Sequence, residues 1–430
     1  MKKCASAILK LTLGVIMFGN TLPRADATDI KLECDRPSHV YHVGENAVFS
    51  LRSQKPERLD VEISSDGDVV LRKFKLTSPG TFRFTLPHPG FLRVKVFDRN
   101  RKVAEAGAAF DPEQIRPVLP EPEDFDDFWN NVLAQLQAVP ENFKMFEHPE
   151  LATDEYGFFD VRCDNINGVK TYGYLRLPKG KGTFPLLVYV EGYGRGQCLE
   201  TFQEHCGNVS KHCKGMTAIL TISVHPFAAA ESDAELTKQF AEYLKRCPGG
   251  NYWLHGLAGT DMTQTFFAQA IAGAVRLCNS VCALPAIDKE RVVCYGVSQG
   301  GGFGIYLTAC CPQIKALFCG VPAFGDCGGF LLGRHSTQSD IGAFRKYYEK
   351  LRYFDTANFA RRIKVPVYMS AGFIDSICPP SGIYAVYNQL SGPGMFYNKV
   401  IHGHNDGSDE YEQSTWNFVA GHLELRGAAR

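Results

Sequence analysis

Residues 291–302 read Arg-Val-Val-Cys-Tyr-Gly-Val-Ser-Gln-Gly-Gly-Gly, and this segment gives the clearest indication of the fold. An apolar run typical of a buried strand leads into Gly-x-Ser-x-Gly, and a helix is predicted from Gly301 onward. A turn of this kind between a strand and a helix presents its serine, here Ser298, as a nucleophile. Because the turn is sharp, a side chain at Gly296 or Gly300 would collide with neighbouring backbone. The five-residue pattern alone also fits a turn without chemistry, so the flanking strand and helix are what favour the nucleophile.

Strands and helices alternate on both sides of this turn, from Phe125 to the end of the chain, which predicts an α/β sheet covered by helices. The unit opens with apolar residues at helical spacing, and Asp124 can cap that first helix. The predicted strands are 158–161, 172–177, 186–190, 218–223, 292–295, 316–320, 367–371 and 398–402. The predicted later helices are 261–281, 301–310, 381–390 and 412–425. Together with the serine turn, this pattern predicts the α/β-hydrolase fold, a mostly parallel sheet flanked by helices.

Three segments precede this unit, which is predicted to span 125–430. Residues 1–27 have the features of an export signal, with a basic start, an apolar run and a small-x-small cleavage site, so a secreted or periplasmic protein is expected. The apolar run is shorter than the ~20 residues that span a membrane. Residues 28–110 show short alternating strands between turn signals, which predicts a small all-β, immunoglobulin-like sandwich. Residues 111–124 contain four prolines and are predicted to form a stiff linker.

Composition limits the classes of partner. The 46 basic side chains balance 46 acidic ones, which argues against a nucleic-acid-binding surface. Of the fifteen cysteines, the fourteen that follow the predicted signal could partly pair after export, although those within predicted strands and helices are expected to pack as small apolar side chains. The His205-Cys206 and His212-Cys213 pairs lack an accompanying Cys-x-x-Cys, so neither a metal nor an organic cofactor is expected.

A nucleophilic serine needs a base, and in this fold the triad follows the chain order serine, acid, histidine. Four histidines follow Ser298: His335, His402, His404 and His422. His335 comes before the strand expected to carry the acid, and His422 lies in the predicted last helix. His402 belongs to the end of a predicted strand, whereas His404 follows Gly403 in a loop, so His404 is the favoured base.

The acid is expected just beyond the carboxyl end of a strand. Asp375 follows the predicted strand 367–371, where a carboxylate can orient the imidazole and stabilise the imidazolium. Asp326, which follows strand 316–320, is the alternative, although its Asp-Cys-Gly-Gly context also fits an ordinary turn.

Two backbone N–H groups are needed to stabilise an oxyanion. Gln299, the residue after the serine, supplies one, and Tyr193 in the loop after strand 186–190 supplies the other. That loop is rich in glycine but lacks the Lys-Ser or Lys-Thr of a phosphate-binding loop, so a phosphate site is not expected.

These motifs resemble the acetyl xylan esterase and cephalosporin C deacetylase family, carbohydrate esterase family 7. The resemblance rests on Asp-Phe-Asp-Asp-Phe-Trp at 124–129, Gly-Tyr at 192–193, Gly-Val-Ser-Gln-Gly-Gly at 296–301, and Asp-Ser-Ile-Cys-Pro-Pro at 375–380. It implies a triad of Ser298, Asp375 and His404 with Tyr193 and Gln299 as oxyanion donors. It also implies acetylated xylan, acetylated oligosaccharides or small acetyl esters as substrates.

The chain differs from the family pattern in three places. Where the family carries Arg-Gly-Gln, this chain has Val-His-Pro-Phe-Ala at 224–228, and Asn405 replaces a glutamate after the base. The predicted sandwich is additional, which leaves open whether the chain forms a homo-oligomer. Two other functions compete with deacetylation: a serine peptidase of the same fold, and a glycan-binding protein without catalysis.

Overall fold

The computed structural model describes residues 30–213, 216–335 and 342–424. The predicted export signal, residues 1–27, lies outside these ranges. Within them, the helices are all too short or too polar to cross a membrane.

The N-terminal part consists of strands in two facing sheets. One sheet has the order β1-β3-β6 and the other β2-β8-β7-β4-β5. Apolar side chains of both sheets, including Phe49 of the first and Val61 of the second, enclose one core. The strands are β1 (Lys31–Cys34), β2 (Val40–Tyr41), β3 (Ala47–Arg52), β4 (Arg58–Ser65), β5 (Val70–Thr77), β6 (Gly80–Phe84), β7 (Gly90–Asp98) and β8 (Arg101–Phe110). The all-β prediction agrees with this architecture, while the immunoglobulin-like topology and the domain boundaries stay predictions.

The proline-containing segment after β8 lies against the rest of the molecule. Ile115 is buried in the larger core, and Asn388 Nδ2 donates to the carbonyl oxygens of Pro112 and Ile115 at 2.9 Å. Helix α1 (Phe125–Ala138) follows, with Asp124 at its N-cap but without the predicted capping hydrogen bond. The Asp124 carboxylate instead accepts a hydrogen bond from Tyr353, so the prediction that it caps the helix through its side chain is wrong.

A mixed sheet of nine strands forms the centre of the larger unit in the described residues. Its order is β17-β16-β15-β14-β12-β13-β11-β10-β9, in which β12 to β17 are parallel and β9, β10 and β11 are antiparallel. The strands are β9 (Lys144–Glu147), β10 (Tyr156–Asp164), β11 (Lys170–Pro178), β12 (Phe184–Val190), β13 (Ala218–Ile222), β14 (Ile287–Val297), β15 (Ala316–Gly320), β16 (Val367–Gly372) and β17 (Gly394–Lys399). A mostly parallel sheet was predicted, and the structure confirms it.

Helices cover this sheet on both faces. They are α2 (Leu199–His212), α3 (Asp233–Leu244), α4 (Phe266–Cys282), α5 (Gln299–Cys310), α6 (Gly342–Arg345), α7 (Tyr348–Leu351), α8 (Thr356–Ala360), α9 (Pro380–Tyr387) and α10 (Asp409–Glu424). Helix α4 starts five residues later than predicted, because Thr265 caps it by accepting from the Ala268 amide. Asp261, the predicted start, caps a separate 3-10 turn at Met262–Gln264.

The carboxyl ends of neighbouring parallel strands place the predicted site residues along one edge of the sheet. Strand β12 ends before the loop that holds Tyr193, β14 before Ser298, and β16 before Asp375. The last strand, β17, ends at Lys399, so the prediction of a strand at 398–402 is wrong. Ligands of open α/β sheets bind at this edge, which is where the candidate active site lies.

Candidate active site

Ser298 stands on a strained turn between β14 and α5. Its φ of 59° and ψ of −123° are unusual for a residue with a side chain. A Cβ at Gly296 would lie 2.1 Å from the Gly300 carbonyl oxygen, and one at Gly300 would lie 2.0 Å from the Val190 carbonyl oxygen. These distances confirm that both positions require glycine. The turn is held by hydrogen bonds from the Ser298 amide to Gly320 and from the Ala323 amide to the Ser298 carbonyl, at 2.9 and 3.0 Å.

Asp375 and His404 are in direct contact. His404 Nδ1 lies 2.8 Å from Asp375 Oδ2, and the Asp375 carboxylate is completely buried. The other carboxylate oxygen, Oδ1, accepts from the amides of Ile377 and Cys378 at 2.8 and 2.9 Å. Both oxygens of the acid are therefore occupied, which fixes the orientation of the carboxylate towards the imidazole.

The loop of the acid also reaches the serine. Ser298 Oγ lies 3.9 Å from Cys378 Sγ, and the Cys378 amide is one of the two that bind Asp375. The acid loop thus contacts Ser298 through Cys378 and His404 through Asp375.

The loop of the base crosses the end of β16. A Cβ at Gly372 would lie 2.7 Å from the carbonyl oxygens of both His402 and Gly403, so the close crossing depends on glycine. Lys399 Nζ donates to the carbonyl oxygens of Gly403 and His404 at 3.1 and 3.3 Å. Burial lowers the pKa of Lys399. His402 lies in this loop and not at a strand end as predicted, and its carbonyl accepts from the Ile374 amide at 3.4 Å.

The alternative residues have other partners. Asp326 is fully buried, its Oδ1 accepts from the Val118 amide at 2.7 Å, and its Oδ2 lies 3.1 Å from Arg334 Nη2. Burial raises the pKa of Asp326 to about 6. His422 Nδ1 lies 2.8 Å from the Phe418 carbonyl within α10, as expected of a helix-packing histidine.

The side chain of Gln299 ties the glycine-rich loop to the serine turn. Its Nε2 donates to the Gly192 carbonyl at 3.1 Å. Its Oε1 accepts from Tyr252 Oη at 2.9 Å and from Trp253 Nε1 at 2.7 Å. Gln299 is also the first residue of α5, where the leading N–H groups of a helix lack a partner four residues back. The side chain can thereby hold the loop of Tyr193 beside an available backbone donor.

Tyr193 lies in this glycine-rich loop, and His225, which follows β13, contacts the loop from outside. The half-exposed Tyr193 ring stacks on Tyr252 with centroids 5.2 Å apart. His225 Nε2 lies 2.8 Å from the Gly194 carbonyl oxygen, and burial lowers the pKa of His225 to about 4. A neutral imidazole that donates from Nε2 fits this contact. His225 stands in the segment where the family carries Arg-Gly-Gln. An Arg-Gly-Gln triplet occurs at 195–197 of this chain, one strand earlier, and its Arg195 pairs with Asp233 of α3.

A buried carboxyl group lies at the base of the same loop. Burial raises the pKa of Glu191 to about 8. A Cβ at Gly196 would lie 3.2 Å from Glu191 Oε2 and 3.7 Å from His225 Cδ2, so both side chains pack against this glycine.

Sequence reasoning missed several of these residues. Those not assigned to the site include Tyr252, Trp253, His225, Cys378 and Glu191. The aromatic run Tyr-Trp-Leu at 252–254 and the replacement at 224–228 were the available signals, because aromatic side chains with a polar atom usually need a partner when buried.

The thiols and the two His-Cys pairs pack within the fold. In the described part of the chain, twelve of the fourteen cysteines are buried, and Cys34 and Cys310 are partly exposed. The His205 ring packs on Tyr189 at 4.1 Å, and His212 stacks on Trp416 at 4.5 Å. The described residues include no group of three potential metal ligands.

The known proteins that resemble this chain include acetyl esterases and acetyl xylan esterases. Among curated proteins, the acetyl esterase Axe7A of Xylanibacter ruminicola is 27% identical over 339 residues, which cover 77% of this chain and 75% of that protein. Acetyl xylan esterase 1 from a Thermoanaerobacterium species superposes with a TM-score of 0.60 at 22% identity, over 73% of this chain and 98% of that chain. An acetyl xylan esterase from Paenibacillus sp. R4 gives 0.59 at 24% identity, over 72% and 98%. These two structures share the fold.

The sequence model of the acetyl xylan esterase (AXE1) family matches residues 113–421. This match spans well over half of the chain and contains the serine turn, the acid loop and the base loop. The chain therefore belongs to the acetyl xylan esterase family and is a carboxylic ester hydrolase of the α/β-hydrolase fold.

Proposed function

We propose that the protein is an exported serine esterase that removes acetyl groups from acetylated xylan and its oligosaccharides through Ser298, His404 and Asp375. The contact of 2.8 Å between His404 Nδ1 and Asp375 Oδ2, next to a strained serine turn, is the observation that carries the proposal. Membership of the acetyl xylan esterase family supports the substrate class.

The first half of the reaction forms an acetyl-enzyme. Asp375 accepts a hydrogen bond from the Nδ1–H of His404, which leaves the unprotonated Nε2 to take the hydroxyl proton of Ser298. Ser298 Oγ then attacks the acetyl carbonyl carbon, and the amides of Tyr193 and Gln299 stabilise the resulting oxyanion. When the tetrahedral intermediate collapses, His404 gives its proton to the departing sugar oxygen. The products of this half are a free sugar hydroxyl and acetylated Ser298.

The second half hydrolyses the acetyl-enzyme. His404 removes a proton from water, the hydroxide adds to the acetyl carbonyl, and the same two amides stabilise the second oxyanion. Collapse returns the proton to Ser298 and releases acetate. Asp375 stays ionised and hydrogen-bonded to the imidazole throughout.

The proposal is tested with purified protein on p-nitrophenyl acetate and on acetylated xylo-oligosaccharides, beside Ser298→Ala. Acetate release by the wild type and its loss in the variant are expected. Intact-mass spectrometry during turnover should find one acetyl group on the wild type and none on Ser298→Ala. Unchanged turnover by the variant would contradict the mechanism.

A peptidyl amide series distinguishes the rival enzyme. Cleavage of amides without cleavage of acetyl esters would favour a serine peptidase, and binding of xylan without any turnover would favour a glycan-binding protein. Export is tested separately by N-terminal sequencing of the protein recovered outside the cytoplasm, which we expect to begin near Thr28.

A further inference from the structure

The N-terminal sheets contact the loop that carries the acid. The contacts come from Asp66 in the turn between β4 and β5, Phe91 in β7, and Gly107 in β8. We propose that these three residues, the bracing face, are positioning residues that hold the loop 373–381 and so set Asp375 against His404. The inference rests on the proposed function, in which Asp375 is the acid of the triad.

Gly107 touches the backbone two residues before the acid. A Cβ at this position would lie 2.5 Å from the Phe373 carbonyl oxygen and 2.9 Å from its carbonyl carbon. Real Cβ atoms do not approach backbone so closely, so any side chain here must push Phe373 away. The strand and the loop are therefore in contact at a point where only glycine fits.

Phe91 packs against the first residue of the loop and against the helix α9 that follows it. Its ring lies 5.1 Å from the Phe373 ring, edge to face, and 5.5 Å from the Tyr384 ring in α9. Phe91 is 1% exposed and belongs to the core of the esterase unit, although its strand belongs to the N-terminal sheets. Burial of an aromatic ring in this way fixes the position of its neighbours through close packing.

Asp66 holds the other end of the loop. Its Oδ2 accepts a hydrogen bond of 2.8 Å from the amide of Ser381, in the first turn of α9. A carboxylate at a helix N-terminus satisfies a backbone N–H that has no partner within the helix. The side chain of Asp66 is buried, so this contact is shielded from water.

The acid lies between these two anchors. Phe373 and Ser381 are fixed from the N-terminal side, and within the loop the amides of Ile377 and Cys378 bind the Asp375 carboxylate. A displacement at Phe373 would be transmitted to Asp375 through two residues of chain. Because a misplacement of about 1 Å can lower a rate by about a hundredfold, the bracing face should affect turnover without touching substrate.

The experiment is a double-mutant cycle in the full chain between Gly107→Ala and Asp375→Ala. The matched control is Gly90→Ala, since a Cβ at Gly90 would lie no closer than 3.7 Å to any neighbouring atom. Rates are expressed per serine titrated with an organophosphonate, at a temperature where circular dichroism shows every variant to be folded. We expect Gly107→Ala to lower kcat about tenfold or more, with KM nearly unchanged, and Gly90→Ala to change neither.

The Asp375→Ala background separates positioning from a general loss of structure. If the bracing face acts through Asp375, Gly107→Ala should lower the residual kcat of Asp375→Ala by less than twofold. An equal loss in both backgrounds, or no loss in either, would overturn the inference. Full activity of Asp375→Ala would instead overturn the triad, so the two failures are distinguishable.

A second pair of variants repeats the test by removing packing. Phe91→Ala should lower kcat, whereas Phe49→Ala, which lies within the N-terminal core and stacks on Phe82, should not. In proton NMR spectra, the far-downfield resonance of the His404 Nδ1 proton should shift or broaden in Phe91→Ala and persist in Phe49→Ala. A resonance that is identical in both variants would contradict the inference.

Discussion

At the scale of single residues, Gln299 has a role that its backbone position does not reveal. Its side chain is 1% exposed and makes three hydrogen bonds, to Gly192, Tyr252 and Trp253. Gln299→Leu leaves the buried donors of Tyr252 and Trp253 unpaired, at about 1–3 kcal/mol each, and releases the loop of Tyr193. We expect kcat on p-nitrophenyl acetate to fall about a hundredfold, the size of a lost oxyanion donor, together with a lower melting temperature.

The control for this change is Gln413→Leu on the exposed face of α10, where the side chain contacts Asn417. Wild-type kinetics are expected for the control. Wild-type kcat in Gln299→Leu would show that the side chain does not hold the loop.

The buried imidazole of His225 should make the free energy of unfolding depend on pH. Burial lowers the pKa of His225 from 6.5 to about 4, so the folded chain keeps the imidazole neutral. Between pH 6.5 and 4 the unfolded chain takes up a proton that the folded chain does not. This contribution to stability is therefore complete above pH 6.5 and is lost as the pH falls to 4, by up to roughly 3 kcal/mol.

His225→Phe tests this contribution. The phenyl ring keeps the packing against Phe227 and Tyr252 but leaves the Gly194 carbonyl without its donor. In urea titrations at pH 8 the wild type should be the more stable of the two, and its advantage should shrink or reverse at pH 5. An advantage that is equal at both pH values would contradict the expectation. His422→Phe in α10 serves as the histidine control.

Some of these residues could be predicted from the sequence because their roles depend only on neighbouring residues in the chain. The strained turn needs glycine at 296 and 300 whatever surrounds it, so Ser298 was identified from five residues and their flanks. The partners of Gln299 could not be, because Tyr252 and Trp253 lie more than 40 positions earlier in the chain and meet it only in the folded structure.

Among the elements near the site, the base loop packs closely on β16 where it crosses the end of that strand. Gly372→Ala would place a Cβ 2.7 Å from the carbonyls of His402 and Gly403. We expect the loop to move away from β16 and kcat to fall about tenfold or more, with a smaller change in KM, because His404 shifts relative to Asp375. Steady-state kinetics on p-nitrophenyl acetate measure the effect.

Gly421→Ala in α10 is the matched control, since a Cβ there meets no atom within 4 Å. It should keep wild-type kinetics and gain slightly in stability, because alanine favours helix more than glycine does. A wild-type kcat in Gly372→Ala would mean that the loop tolerates displacement.

The elements that were predicted well are those buried in the centre of the sheet. Strands β12, β15 and β16 are mostly apolar runs, and the predicted ranges match them to within two residues. The predicted strand 292–295 is the apolar part of β14, which starts five residues earlier and carries charged residues at 288–291. The edge strand β17 was placed four residues too late at its start, because its residues are mostly half-exposed and carry little apolar pattern. Helix α2 was missed although its buried residues at 199, 202, 206 and 209 follow helical spacing.

At the scale of the whole molecule, the shared core predicts cooperative unfolding. Phe91 and Ala109 of the N-terminal sheets are part of the core of the esterase unit. The three tryptophans, Trp129, Trp253 and Trp416, lie in the esterase unit, so their fluorescence reports on that unit. Fluorescence and far-ultraviolet circular dichroism should therefore give one coincident urea transition.

The variant Phe49→Ala tests whether the N-terminal sheets and the esterase unit unfold together. The substitution removes a buried ring from the N-terminal core, which costs about 3–5 kcal/mol. If the two parts unfold together, the midpoint detected by tryptophan fluorescence should fall as far as that detected by circular dichroism. A fluorescence midpoint that stays at the wild-type value would show that the two parts unfold independently.

The contact between the N-terminal sheets and the esterase unit could not be predicted from the sequence. Arg93 is a charged residue of β7, yet it is 1% exposed and pairs with Asp68. Alternation along a strand shows which side chains share a face, but not whether another part of the chain covers that face. Phe91, an apolar residue on the same face, was the available sign that this side is covered.

The strained backbone conformation of Ser298 lowers the thermal stability of the whole protein. A residue with a side chain in this conformation costs about 1–3 kcal/mol, a penalty that glycine largely avoids. The inactive Ser298→Gly chain should therefore melt at a higher temperature than the working enzyme, as differential scanning calorimetry can measure. Catalytic activity and thermal stability therefore make opposite demands on residue 298. Variants selected for heat resistance alone would tend to lose the nucleophile.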